Sequence, residues 1–364
     1  MQMNTIKKEE KNIEEEYYEP FSESVDSLEY KKEKRVYSLC TYFLPILIII
    51  LILSIVIYFF LKRTNIKQNE ENLNYTIKEK IKVLKNDSRP ILLFNDHFTN
   101  IIKNITSIKI NNKLIDEIEN YYKFNCIGEY LVEITFNRKL ESMQELFNYC
   151  EDIIELDLSD IDTSQVKSMK SAFNGCNNLT SINLDNFNTS LVTDMSYMFS
   201  DCYSLTSLNL NNFNTELVKD MSYMFSNMSS LNYLNISGFN TKNVYKMQHM
   251  FYLSNLTSLD VSNFNTEKVI YIHYMFSNCR FLTSLNLSNF NTKEVVDFRG
   301  LFKGDESLID IDIRNFYTTK MNSYKDIFEQ LPEVGIITIN LDITSAMILN
   351  QIPENWKKKK ISNH

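Results

Sequence analysis

A phenylalanine returns at a fixed interval through the middle of this chain. It stands at Phe147, Phe173, Phe199, Phe225, Phe251, Phe276, Phe302 and Phe328, every step being 26 residues except the 25 between Phe251 and Phe276. A second series runs in phase with the first, at Phe187, Phe213, Phe239, Phe264, Phe290 and Phe316, with Ile161 in the equivalent place upstream. A fixed period of about 20–50 residues is the signature of a solenoid, in which each unit buries its apolar face only against its neighbours. Although 364 residues are enough for two globular domains, the spacing predicts one elongated array instead.

Within the unit that starts at Leu205, apolar residues fall at Leu205, Leu208, Leu210 and Phe213. That pattern puts Leu208 and Leu210 on one face of a short strand and turns Asn209 to the other. Thr215 reads as a helix N-cap or turn residue. After it, Val218, Met221, Met224, Phe225 and Met228 recur at three- and four-residue steps, which predicts a helical turn or two over 221–228. The expected fold is an α/β leucine-rich-repeat-like solenoid of about 7–8 units of 26 residues, with Leu strands on one side and short helices on the other. The repeated Phe, Val and Met are expected to be core.

The runs NFNTSLVTDMSYMFSDCYSL, NFNTELVKDMSYMFSNMSSL and LTSLNLSNFNTKEVVDF resemble the 26-residue repeats of BspA-like leucine-rich-repeat surface proteins over residues 143–330. That resemblance implies a surface-exposed solenoid used in adhesion or in host and matrix binding, with no catalytic residues to carry over. An internal N-terminal anchor is not something the repeat predicts.

Around the array the sequence divides further. Residues 1–37 carry 10 acidic and 7 basic side chains and few aliphatics, too little apolar surface to offset the entropy of ordering, and read as a disordered acidic tail on the cytoplasmic side. Tyr17, Tyr18 and Tyr30 lie in it among acidic residues, and Tyr18-Glu-Pro-Phe21 has the form of a tyrosine-based sorting signal. The segment 38–63 centres on Phe43–Leu61, 19 residues without a charge and flanked by Lys and Arg. At about 1.5 Å per residue it is long enough for a single transmembrane helix, a signal anchor. The positive-inside rule narrowly favours a cytoplasmic N-terminus, with the array outside, at the plasma membrane or cell surface. Nine Asn-x-Ser/Thr sequons follow the span and none precedes it, which permits an exterior placement. Residues 64–96 read as a polar stalk and 97–138 as an N-terminal cap, with LIDEIENYY (114–122) helical. The array occupies 139–333, and 334–364 form a C-terminal cap and basic tail.

A formal net charge of −8 with no basic stripe argues against nucleic acid. Only six Gly are present, and no phosphate loop, HExxH or GxSxG motif occurs. No catalytic residue, cofactor or metal is predicted, and the chain reads as a non-enzyme. Cys150, Cys176, Cys202 and Cys279 stand three residues after the closing Phe, where Met228 replaces Cys in one unit. The shared position reads as a small buried slot, and the even spacing argues for free thiols over a disulfide or zinc.

Two rows are candidates for ligand contact. Tyr197, Tyr223, His249 and Tyr274 precede Met-Phe in successive units and read either as a recognition surface or as packing against the next unit. Asp157, Asn183, Asn209, Asn235, Asp260, Asn286 and Asp312 lie between the strand apolar positions. They read either as hydrogen-bonding groups for an extended ligand or as a solvated ladder that keeps the sheet soluble; the lack of a compact oxygen-rich loop argues against calcium. The expected function is adhesion or recognition of a protein or glycan ligand at the cell surface. The alternatives are a scaffold or sorting protein of an internal membrane, and a signalling receptor working through the tail tyrosines.

Overall fold

The computed structural model describes residues 55–58, 74–83, 89–95, 97 and 101–361. From residue 139 onward the chain winds as a β-solenoid whose turns carry parallel strands on one face. In order these are β7 (Ile153–Asp157), β8 (Ser181–Asn183), β9 (Ser207–Asn209), β10 (Tyr233–Asn235), β11 (Ser284–Asn286), β12 (Asp310–Asp312) and β13 (Ile336–Asn340). Pairing is in register at the repeat period, for example Leu234 beside Leu208 and Leu285 beside Ile311. A second face is joined by parallel bridges that run without interruption through Ser168, Asp194, Asp220, Lys246, Tyr271, Asp297 and Ser323, seven turns in succession.

The expected helices on that second side are absent. From Met221 onward, alternate N–H groups leave the turn altogether: Met221 donates to the Lys246 carbonyl, Tyr223 to Gln248, Phe225 to Met250 and Asn227 to Tyr252. The intervening Met224 and Ser226 N–H groups donate three residues back, to Met221 and Tyr223. Tyr223 and Asn227 both have φ near +57, a left-handed conformation that L-residues adopt singly and never as an α-helix. The three- and four-residue steps therefore record corners of a flattened coil, and the fold class is corrected from α/β to β. The one short helix of the array's end is Ala346–Leu349.

Inward columns are ladders of one residue type. Phe147 through Phe328 stack ring on ring at 5.2–6.2 Å, and Val192, Val218, Val244, Val269 and Val295 are fully buried. Thr215 is no helix cap: buried itself, its hydroxyl donates to the Asn240 carbonyl of the next turn (3.0 Å) and accepts from the Asn240 N–H (2.7 Å). Thr163 and Thr241 make the same reciprocal pair with Asn188 and Asn265. Each turn thus satisfies its neighbour's backbone as well as its apolar face.

The N-terminal end is closed by antiparallel strands β1 (Tyr75–Val83), β3 (Ile105–Ile110), β4 (Lys113–Leu114) and β6 (Gly128–Phe136), which form with β7 and β8 one sheet in the order β4-β3-β6-β1-β7-β8. Residues 64–96, expected to be a stalk, thus supply a central strand of the cap. The expected helix over 114–122 is replaced by β4 and a two-residue strand β5 (Tyr121–Tyr122), which pairs with β2 (Ile91–Leu92). At the other end β13, within the expected C-terminal cap, pairs with β14 (Lys357–Ile361), whose four exposed lysines blunt an open sheet edge against further pairing.

Of the predicted membrane segment Phe43–Leu61, only residues 55–58 are described, and they are helical. The remainder, like the tail 1–37 with Tyr17, Tyr18 and Tyr30, lies outside the described residues. Among the described residues no helix is long and apolar enough to cross a membrane, so the transmembrane helix drops from the fold class.

Candidate recognition surfaces

The second face carries the aromatic row. Tyr197, Tyr223, His249 and Tyr274 all have φ between 55 and 58, and their rings stack from turn to turn: Tyr197 on Tyr223 at 4.4 Å and 7°, Tyr223 on His249 at 4.4 Å and 9°, His249 on Tyr274 at 5.0 Å and 21°. The row ends at Gly300, also left-handed, where a Cβ would lie 2.1 Å from the Tyr274 ring. A left-handed conformation costs roughly 1–2 kcal/mol per residue, and an aromatic stack returns about 0.5–1.5 kcal/mol, with the N–H bond to the next turn added. These rings therefore cover one another's faces and present only edges and hydroxyls outward. Burial, and then Tyr223, push the Tyr197 hydroxyl up to about 12.

His249 sits at the centre of a denser cluster. Its ring meets His273 edge-on at 5.5 Å, and His273 Nδ1 lies 3.3 Å from Asp297 Oδ2, within ion-pair distance but not aligned as a hydrogen bond. Burial, then His273 and Arg299, lower His249 to about 4. Burial also lowers His273, against the pull of Asp297. Burial works to raise Asp297, but the Arg299 fork onto it outweighs this and holds the carboxyl below its ordinary value. The Nδ1 atoms of His249 and His273 and Oε1 of Gln248 are buried without hydrogen-bond partners. Among the described residues no group of three or more His, Cys, Asp or Glu side chains could hold a metal ion.

The β-face row does a different job. The side-chain oxygen of each of Asp157, Asn183, Asn209, Asn235, Asp260, Asn286 and Asp312 accepts the backbone N–H two residues on, at 2.9–3.3 Å. These are Asx turns that carry the chain out of the strand. Asn183 also donates to Asp157 across turns, at 3.1 Å, whereas the amide nitrogens of Asn209, Asn235 and Asn286 donate to no described group. A separate amide row that sequence reasoning passed over does the inter-turn work: Asn263 and Asn289, each just before the opening Phe, donate to carbonyls of the preceding turn. At the matching position Gly238 lies so close that a Cβ would come within 2.0 Å of the Asn211 carbonyl oxygen.

The cysteine column is buried and free of disulfides. Cys176, Cys202 and Cys279 point their thiols at carbonyl oxygens of Phe147, Phe173 and Phe251, all at 3.1 Å. Burial pushes these thiols up, so they hold little nucleophilic thiolate at neutral pH. Two buried carboxyls gave no sequence signal beyond interrupting an apolar series, a column for one and a strand face for the other. Asp305 occupies the cysteine column and accepts the Cys279 N–H at 2.8 Å. Glu79, in β1 between inward Ile77 and Ile81, has no partner for either oxygen, and burial raises it well above the usual carboxylate range.

Tyr233 was not among the predicted residues. It breaks a column that reads Glu155, Ser181, Ser207, Ser284 and Asp310 in the other paired turns up to Ile336, stands in register with Ser207, and is 54% exposed. That departure from the repeat was the available signal.

A family described as "Mycoplasma protein of unknown function, DUF285" has a sequence profile that matches residues 141–258 and again residues 229–336. No curated protein matches the chain, and no solved structure does.

Proposed function

The chain belongs to the DUF285 family, whose two overlapping matches run across more than half of its length, and from that premise we propose that its array is a non-catalytic recognition scaffold displayed at the cell surface. The finer assignment is to the BspA-like surface proteins, with adhesion or ligand binding as the activity and a protein or glycan as the ligand.

The observation that carries this reading is the contrast between inward and outward positions. Inward columns repeat a single residue type for as many as eight turns, as the Phe147–Phe328 ladder does. The bridge column at the same spacing, in which Asp297 is the one buried member, changes chemistry from turn to turn: Ser168, Asp194, Asp220, Lys246, Tyr271, Asp297, Ser323. A fixed core with variable outward chemistry is how a repeat protein presents an extended binding surface. Solubility alone would be met by any charged set.

The test places one epitope tag before Tyr17 and another after His364 and probes intact cells with antibody and protease. Exposure of the C-terminal tag is the expected result. If neither tag is reached until the cells are opened, surface recognition is wrong and an internal scaffold takes its place.

A further inference from the structure

Strands β8 and β9 belong to different sheets and are not hydrogen-bonded to each other, so the β face opens between them. The opening is a groove of about 470 Å³ with Ile182, Leu184 and Leu208 as its floor and Ser207, Asn209 and Asn211 at its rim. Asp185 is its one charged group, and no Lys or Arg lines it. On the next turn, Tyr233 stands beside Ser207 with its ring mostly in solvent and no ring stacked on it among the described residues. The second face is the reverse, because there every tyrosine of the row has its face against a neighbouring ring.

We propose that this groove and Tyr233 form a binding site for an extended neutral glycan, an inference that rests on the recognition reading above and names its ligand class. A hydroxyl-rich chain matches a rim of amide and hydroxyl groups, since Asn209 keeps its side-chain nitrogen free after its oxygen is used in the Asx turn, and an amide offers both donors and acceptors. The open face of Tyr233 packs against the apolar face of a sugar ring. Lack of a cation in the groove disfavours phosphate, sulfate or uronate groups. A peptide strand inserted between β8 and β9 would need about 9.6 Å between them, two strand spacings, whereas Phe187 and Phe213, just beyond these strands, hold their turns at 6.1 Å. The ligand therefore lies over the groove rather than extending the sheet.

The experiment is affinity electrophoresis of the full-length chain through gels carrying a soluble mannan, a dextran or a β-1,3-glucan, with heparin as the anionic comparison. Retardation by at least one neutral polysaccharide and none by heparin is expected. Tyr233→Ala weakens it by about tenfold and Tyr233→Phe leaves it intact, as for a ring that acts by stacking. Tyr233 is exposed, so both variants should melt with the parent chain, and their melting is measured alongside. Absence of retardation by every neutral polysaccharide, a preference for heparin, or an unchanged Tyr233→Ala overturns the inference. Tag accessibility decides the surface reading separately, so that reading can survive when this one falls.

Discussion

The two faces of the solenoid solve the same stacking problem by different means. On the second face every turn is bridged to the next and the outward corner is held by left-handed residues whose rings stack. On the β face, three-residue strands pair in short groups, and the ladder lapses between β8 and β9 and again at residues 257–260, in the turn that is one residue short. The comparison teaches that regular strands are not what makes the array continuous. Continuity comes from the corners and the inward columns, which leaves the strand face free to open.

The largest expected effect compares the two Phe ladders that back these faces. Phe225 contacts the rings of Phe199, Phe239 and Phe251, whereas Phe213 has one ring contact, with Phe187. Phe225→Ala is expected to cost about 5 kcal/mol and Phe213→Ala about 3 kcal/mol in chemical denaturation. Equal losses would break the distinction between a continuous and an interrupted side.

Next in size is Gly238→Ala, expected to destabilise by about 3 kcal/mol because a backbone oxygen must move. The repeat pattern alone argues the opposite, since its counterparts Asn212 and Asn263 favour a side chain there; a raised melting temperature for Gly238→Asn would show the turn to be more compliant than its geometry indicates.

Acid should act on the second face. His249 is lowered to about 4 in the folded chain against an ordinary 6.5, so the unfolded chain takes up its proton first. The stability this neutral imidazole contributes is complete above pH 6.5 and is lost as pH falls towards 4, to no more than about 2 kcal/mol once partial exposure is discounted. His249→Tyr, which restores the row, should flatten that slope in melting curves taken from pH 7 to 4; an identical slope would assign the acid sensitivity elsewhere.

The smallest effect belongs to the β face. Asn209→Ala removes one Asx-turn hydrogen bond in a half-open sheet and should cost about 1 kcal/mol, against a larger loss for Tyr223→Ala, which strips a ring stacked on both sides.

The period, the inward columns and the burial of the cysteines were legible because a side chain repeated at one place in every turn can only face its own copies. The conformation of those turns was not. Met221, Met224, Phe225 and Met228 have helical spacing, and nothing in their side chains reveals that Tyr223 and Asn227 turn left-handed while alternate N–H groups bond outward. Thr215 is the turn residue its place in the sequence allowed, its carbonyl accepting from the Val218 N–H, but its hydroxyl caps the next turn and no helix, two roles that occupy the same place in sequence. Glu79 shares the face of Ile77 and Ile81 by strand alternation, but a carboxylate there reads as a break in the apolar face and not as a buried group. Tyr233 was overlooked for a simpler reason: attention to what recurs passes over the single position that does not.

A fixed rise per turn also makes the array a ruler. Asn209 and Asn286 are separated by three turns, so the groove beside β9 and the one of similar volume beside β11 lie about 15 Å apart at one strand spacing per turn. A gene that gains or loses one 26-residue cassette changes that interval by a single quantum of about 5 Å while every Thr, Phe and Val meets the same partner as before. The spacing between surface features is then adjustable by unequal recombination alone, with no new side chain required.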